Sequence, residues 1–294
     1  MTDMDQKEEI RIAVFIPTYN AGDDWIRLLD ALQQQTLQPH VFAIIDSGSS
    51  DGTVQLARQY GARVLTIDQK KFTHGYARHR LTREFPEHDI FVFMTQDAIP
   101  ADNYSLAGLI NVFADPQVGV AYGRQLPRPV AGAIERHERL FNYPESSSVR
   151  SKDDIPRLGF KTIFCSNSFA AYRKTAYLEC GGFPPEAQFG EDTILTARMI
   201  GKNWKIAYAS QATVIHSHGY TLAEEAARYR EIGKFHRRNP WLYQQFGKPA
   251  KEGLKLLFSQ LWFVMKHKPA QVLQVPFRIA NKWLAYKKGF SEEG

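Results

Sequence analysis

The sequence predicts an α/β protein: a Rossmann-like, mostly parallel sheet flanked by helices, with a C-terminal helical extension. Three observations carry this. Short apolar runs, IAVFI at 12–16, VFAII at 41–45 and IFVFM at 90–94, each stop at a polar turn, as strands buried on both faces do. The segments between them carry apolar residues at helical spacing. The resulting order of strand, turn, helix and strand again is that of a parallel sheet with crossover helices, in which ligands bind beyond the carboxyl ends of the strands.

Element by element, the first strand ends at Pro17, and a helix follows from Asp24 with Trp25, Leu28, Leu29 and Leu32 on one face. The second strand ends in DSGSSDGT, a turn sequence that opens a helix over 53–60, and RVLTI at 63–67 is a third strand. A helix over 77–84 leads to the fourth strand, which runs into Thr95-Gln96-Asp97. From 121 to 168 the chain is richer in Pro, Ser and Arg with weak periodicity, and reads as loops around a short helix near 133–141. A strand over 169–172, a turn at Gly181-Gly182-Phe183, a helix over 191–200 and a strand over 205–209 complete a catalytic unit assigned to 1–222. The extension, 223–294, reads as helices broken at Pro240, Pro249 and Pro269. No internal repeat is visible.

Composition narrows the function. The 294 residues are 44% hydrophobic and 23% charged, which excludes disordered and low-complexity classes. Of the net charge of +6, residues 251–294 hold +5, so the main body is balanced and lacks the basic recognition surface of a nucleic-acid protein. Two cysteines, Cys165 and Cys180, make no disulfide framework and no metal pair, so core thiols in a reduced cytoplasmic compartment are expected. The acidic start MTDMDQKEEI lacks the basic and apolar regions of an export signal. The longest nearly apolar run, Leu254 to Met265, falls short of the roughly 20 residues that span a bilayer.

Four polar clusters sit where strands end or a helix begins: Pro17-Thr18-Tyr19-Asn20, Asp46 to Thr53, Thr95-Gln96-Asp97 and Gly190-Glu191-Asp192. Each alone is ordinary turn or cap chemistry. Taken together, PTYN, DSGSSDGT, TQDA and FGEDT resemble glycosyltransferase family 2, the inverting nucleotide-sugar enzymes of GT-A fold, over residues 11 to about 220. FTHGYARH, TQDAIP, YGRQLP, FCSNSFAAYR and HSHGYT resemble the bacterial rhamnosyltransferase subgroup that builds O-antigen and other surface polysaccharides.

The resemblance implies a nucleotide-sugar donor whose base and ribose are held by Pro17, Thr18, Tyr19, Asn20, Asp46 and Ser47, with Asp51 a turn or cap residue. Arg78 and Gln96 join the donor site, Arg78 toward the diphosphate. Asp97 stands at the last carboxylate of the family's DxD motif, and Thr95 and Gln96 replace the earlier acid. One carboxylate still suits Mg²⁺ or Mn²⁺ shared with substrate phosphates, and His218 is a second metal candidate. His216 and Asn167 are acceptor or diphosphate candidates, with Cys165 and Ser168 beside Asn167. An inverting transfer needs a carboxylate base near the acceptor hydroxyl; the resemblance places it in Glu191-Asp192, with Asp192 as the base and Glu191 in support.

In the tail, Leu254, Leu257, Phe258, Leu261, Trp262 and Met265 form one helical stripe and Val272, Val275, Ile279, Trp283 and Tyr286 another, among Lys255, Lys266, Lys268, Arg278, Lys282, Lys287 and Lys288. These helices lie on an anionic membrane surface, or else pack on the catalytic unit or form a dimer contact. The leading expectation is an enzyme moving L-rhamnose from dTDP-L-rhamnose to a lipid-linked saccharide, bound peripherally at the inner face of the cytoplasmic membrane. A UDP- or GDP-sugar donor, or a non-catalytic nucleotide-binding scaffold, are the alternatives.

Overall fold

The computed structural model describes residues 10–248 and 250–292, the side chains of 250–252 excepted. The acidic start and the break at Pro249 lie outside the described residues. Strand β1 (Ile12–Thr18), helix α1 (Asp24–Gln33), β2 (Val41–Asp46), α2 (Thr53–Gln59), β3 (Arg63–Thr66), α3 (His74–Glu84) and β4 (Ile90–Met94) follow the expected order. β1 lies between β2 and β4, β3 lies beside β2, and all four are parallel. Because side chains alternate across a strand, Phe15, Ile45 and Phe93 pack toward Ala77 and Leu81 of α3, while Val14, Ile44 and Val92 pack toward Trp25 and Leu28 of α1. Each fully buried side chain of this size contributes about 1.5–3 kcal/mol.

Beyond β4 come β5 (Ile99–Pro100), α4 (Ser105–Ile110), β6 (Val118–Leu126), α5 (Ala133–Asn142), β7 (Ser148–Arg150), α6 (Ile155–Leu158), β8 (Phe169–Arg173), α7 (Lys174–Glu179), α8 (Glu191–Gly201) and β9 (Lys205–Ile215). The sheet is now mixed. β8 runs antiparallel to β4 and β6, and β9 runs parallel to β6 with β5 and β7 antiparallel to it. Among the described residues the order is β3-β2-β1-β4-β8-β6-β9-β5, with β7 also on β9.

Four strands differ from the sequence reading: the short β5 and β7, which it lacks, and the longer β6 and β9. β6 occupies the start of the segment read as loops, because Gly123, Arg124 and Gln125 interrupt its apolar pattern. β9 continues past Ala209 to Ile215: Gly123 pairs with Ala209 but Arg124 with Thr213, so 210–212 bulge out and the ladder resumes. That second half carries the chain to His216, whose N–H still donates to Leu126 O. Pro127, which has no N–H, ends the pairing there, so His216 and His218 lie just past the end of the strand.

The tail forms α9 (Leu222–Arg238), α10 (Pro240–Phe246), α11 (Ala250–His267) and α12 (Gln274–Ser291). Pro240 opens α10 and Pro269 opens a 3₁₀ turn, so both act as breaks. α9 starts on a capping box between Thr221 and Glu224. α11 sets Leu257, Leu261 and Val264 against Ala133 and Ile134 of α5. α12 lies on α9 so closely that a Cβ on Gly289 would stand 1.9 Å from Arg230 O. Two of the tail's basic residues face inward: Arg278 reaches Glu225 at 3.0 Å, and Lys282 pairs with Glu138 and, at 3.3 Å, with Glu225. Leu254, Phe258, Trp262 and Met265 of α11 and Phe277, Trp283 and Leu284 of α12 are exposed. Among the described residues no helix is long and apolar enough to cross a membrane.

Candidate active site

Pro17, Thr18, Tyr19, Ser47 and Gln96 line a pocket of about 270 Å³ at the ends of β1, β2 and β4, with Phe72, His74 and Arg78 of α3 and its approach opposite. Gln96 braces its rim, accepting from Tyr19 N–H at 2.8 Å and donating to Tyr19 O at 3.1 Å. Asp46 and Asn20 do not line it. The buried Asp46 carboxylate accepts from Thr18 Oγ1 (3.0 Å), Gly48 N–H (2.9 Å), Ser49 N–H (2.8 Å) and Ser49 Oγ (2.5 Å), which fills its acceptor capacity and shapes the loop that presents Ser47. Asn20 turns its carbonyl to Ser50 N–H at 2.9 Å. Asp51 accepts from the N–H groups of Gly22 and Thr53 and from the Thr53 hydroxyl, a turn brace at the start of α2.

The pocket opens past His74, Arg78 and Thr95 into a cleft of about 450 Å³. On its floor Asp97 meets both histidines: Oδ1 lies 3.4 Å from His216 Nε2 and Oδ2 lies 3.6 Å from His218 Nε2. The three possible ligand atoms lie within 4.8 Å of one another. Gln125 Oε1, which as an amide oxygen can only accept, takes a hydrogen bond from His216 Nδ1 at 2.9 Å and so turns Nε2 toward Asp97. Burial raises the Asp97 carboxyl, but the contact with His216 and the nearness of His218 outweigh it and hold it well below the usual carboxylate range. Burial, then the neighbouring His216, bring His218 down to about 4, so it is neutral at pH 7 with a lone pair free. One carboxylate and two imidazoles make a donor set that fits a divalent cation.

Across the cleft α8 begins at Gly190, whose φ of 75° and contact with the Phe235 ring leave no room for a side chain. The two acids that follow point in different directions and meet different partners. Glu191 is buried and spent: it ion-pairs with Arg78 at 3.0 Å and accepts from Asn167 Nδ2 at 2.9 Å, while Asn167 Oδ1 accepts from Tyr172 OH at 2.7 Å. Asp192 accepts from Thr193 N–H at 2.7 Å and distantly from Asn167 N–H at 3.4 Å, has no cationic partner among the described residues, and lines the cleft. Burial and the Glu191 charge push its carboxyl up to about 7. A carboxyl so placed is suited to take a proton near neutral pH.

The cleft also contains Cys165 and Ser168, and both cysteines are free and buried. Four residues that the sequence did not single out complete it. Gln125 orients His216, Tyr220 stacks on the His218 ring at 4.9 Å, and Arg139 of α5 and Arg228 of α9 stand at the junction with a second cleft of about 590 Å³ between α5, α9 and α12. Nothing in a single sequence separates these arginines from solvated ones on helix faces. The extension beyond 222 thus supplies a wall of the site through Arg228, Ile232, Phe235 and His236.

Residues 13–181 match the model of glycosyl transferase family 2. The chain is 42% identical to the O-antigen chain rhamnosyltransferase RfbN of Salmonella typhimurium, over 95% of this chain and 90% of that one, and 40% identical to the O-antigen chain rhamnosyltransferase WbaN of Salmonella anatum, over 94% and 88%. Among solved structures, the mannosyltransferase PcManGT of Pyrobaculum calidifontis, in complex with GDP-Man and Mn²⁺, superposes with a TM-score of 0.66 at 17% identity over 97% of this chain and 88% of that one. Glucosyl-3-phosphoglycerate synthase of Mycobacterium tuberculosis, with Mn²⁺ and uridine diphosphate, gives 0.53 at 18% identity over 82% and 81%. With a GT-A-like mixed sheet, a pocket at its strand ends and a family match over more than half its length, the chain belongs to glycosyltransferase family 2 and is a glycosyltransferase.

Proposed function

We propose that the protein transfers L-rhamnose, with inversion, from dTDP-L-rhamnose to a lipid-linked saccharide in surface polysaccharide synthesis. The observation that carries this is one cleft with the Asp97-His216-His218 cluster on its floor and the uncompensated Asp192 on its wall, opening to a nucleotide-sized pocket on one side and a second cleft on the other. The rhamnosyltransferase names of the relatives at 40–42% identity support the choice of sugar.

In this reading Thr18, Tyr19 and Ser47 hold the base and ribose. Asp97, His216 and His218 would hold a divalent cation, and two imidazoles favour Mn²⁺ over Mg²⁺, which prefers all-oxygen ligands. Such an ion neutralises diphosphate charge that builds as the donor bond breaks. Asp192 accepts the proton of the acceptor hydroxyl as that oxygen attacks the anomeric carbon from the face opposite the diphosphate. The bond from that carbon to the phosphate oxygen breaks, its electron pair leaves with the nucleoside diphosphate, and the proton stays on Asp192. Glu191 holds Arg78 and Asn167 in place and keeps Asp192 basic.

The exposed apolar face of α11 and α12 is flanked by Lys255, Lys266, Lys268, Lys287 and Lys288. This supports peripheral binding to the anionic inner face of the cytoplasmic membrane, where the acceptor would lie. The test is a panel of dTDP-L-rhamnose, UDP-sugars and GDP-sugars with Mn²⁺ and purified protein, reading nucleoside diphosphate release. Fastest turnover with dTDP-L-rhamnose is expected. A faster UDP- or GDP-sugar changes the donor, and no release from any donor, with or without acceptor lipid, overturns the reading.

A further inference from the structure

We propose that Arg139 and Arg228 are the residues that grip the donor diphosphate, a role that rests on the nucleotide-sugar reading above. The cations around the two joined clefts point to this pair by their partners. Arg78 is committed to Glu191, Arg128 lies 3.4 Å from Glu135, Arg278 reaches Glu225, and Lys282 is shared by Glu138 and Glu225. Arg139 and Arg228 line both clefts and, among the described residues, neither pairs with a carboxylate.

Both are held in position by polar and aromatic groups instead, and each holder touches a different histidine of the metal-ligating cluster. Arg139 Nη1 donates at 2.5 Å to Gln125 Oε1, the oxygen that also accepts from His216 Nδ1, and Gln125 Nε2 is itself fixed on Ser166 Oγ at 2.9 Å. The Arg228 guanidinium lies over the Tyr220 ring, 5.8 Å from its centre, and donates to Tyr220 OH at 3.3 Å, while the same ring stacks on His218. The two guanidinium groups therefore flank the cluster from α5 on one side and α9 on the other.

Charge requires them. A departing nucleoside diphosphate carries about three negative charges at pH 7. A divalent cation bound by Asp97 contributes a net charge of one, the Arg78–Glu191 pair contributes none, and Asp192 is neutral once it holds the acceptor proton. Two unpaired guanidinium groups close this difference, and their planar forks match phosphate oxygens two at a time.

The experiment titrates dTDP, with and without Mn²⁺, and thymidine as a phosphate-free probe into the parent, Arg139→Gln, Arg228→Gln and Arg139→Lys, alongside Mn²⁺ alone. Each Gln variant is expected to weaken dTDP binding about tenfold or more, with thymidine affinity unchanged and affinity for Mn²⁺ alone not reduced. Arg139→Lys is expected to recover only part of the loss. Unchanged dTDP affinity in both Gln variants overturns the proposal, as does an equal loss of thymidine affinity. If Arg139→Gln weakens Mn²⁺ alone as much as dTDP, that residue acts through His216 and the grip is overturned. A parent protein that binds no nucleotide at all overturns the donor reading itself; a parent that binds while its variants match it overturns only this assignment.

Discussion

Replacing Asp192 by Asn is expected to stabilise the protein while stopping it. Burial and the adjacent Glu191 charge raise the Asp192 carboxyl from 3.8 to about 7. Between those values the folded protein keeps a proton that the unfolded chain has released. Stability therefore falls as pH rises through this window and levels off above it. A displacement of that size corresponds to roughly 4 kcal/mol. Asn escapes that cost but loses the charge assistance of the N–H bonds from Thr193 and Asn167, so about 1–3 kcal/mol of net stabilisation is expected at pH 8, vanishing near pH 4. Turnover is expected to fall by about 10²–10⁴ with donor affinity nearly unchanged. In the parent, kcat/KM should rise with pH about a midpoint near 7. The assays are thermal melts and kcat/KM between pH 4 and 8. An Asn variant that keeps a tenth of parental turnover, or whose Tm follows the parent's across the window, refutes the reasoning.

Glu191→Gln should do the opposite to stability, because it leaves the Arg78 guanidinium buried without its carboxylate; the side chains are only 4% and 6% exposed, so a loss of about 3–5 kcal/mol and a Tm drop of roughly 10 °C are expected in a melt at pH 7. Asp97→Ala should abolish transfer and Mn²⁺ binding with the fold intact, and EDTA should silence the parent until Mn²⁺ is restored; full activity in EDTA rejects the metal reading. Phe258→Glu combined with Trp262→Glu, at positions 67% and 61% exposed, should abolish co-sedimentation with anionic vesicles at low salt and leave the melt and activity on a soluble acceptor unchanged. Equal sedimentation of variant and parent removes the membrane role from α11.

The pocket at the strand ends was legible because its residues stand where runs such as IAVFI and IFVFM stop, and a strand end in a parallel sheet is a place with known use. Type and spacing also marked Glu191-Asp192, and the structure separates the two by giving Glu191 a cation and Asp192 none. What spacing cannot show is where a side chain spends its hydrogen bonds: Asp46 sits at the right strand end but turns its capacity to its own loop and to Thr18. Nor does it reveal the half of the site built across long separations. Gln125 meets His216 only because β6 and β9 pair through a bulge, and Arg139 and Arg228 share a cleft only because α5 and α9 both line it. The tail's stripes were visible as stripes. Which residues of each turn inward depends on α5 and α9, so Leu257 and Val275 pack while Phe258 and Phe277 stay outside, and Lys282 joins the interior.

The contact of Gly289 with the Arg230 backbone bears on how the enzyme is made. At about 5–20 residues per second on the ribosome, the stretch from Asp97 to Gly289 takes roughly 10–40 s to synthesise. During that interval the pocket at the ends of β1, β2 and β4 has all its residues, but α9 lacks the helix that packs on it. The α9 backbone around Gly233 then lacks Tyr286, Gly289 and Phe290, which approach it closely in the finished fold. A chain that stops short of α12 therefore leaves one side of α9, the helix that carries Arg228 to the cleft, uncovered.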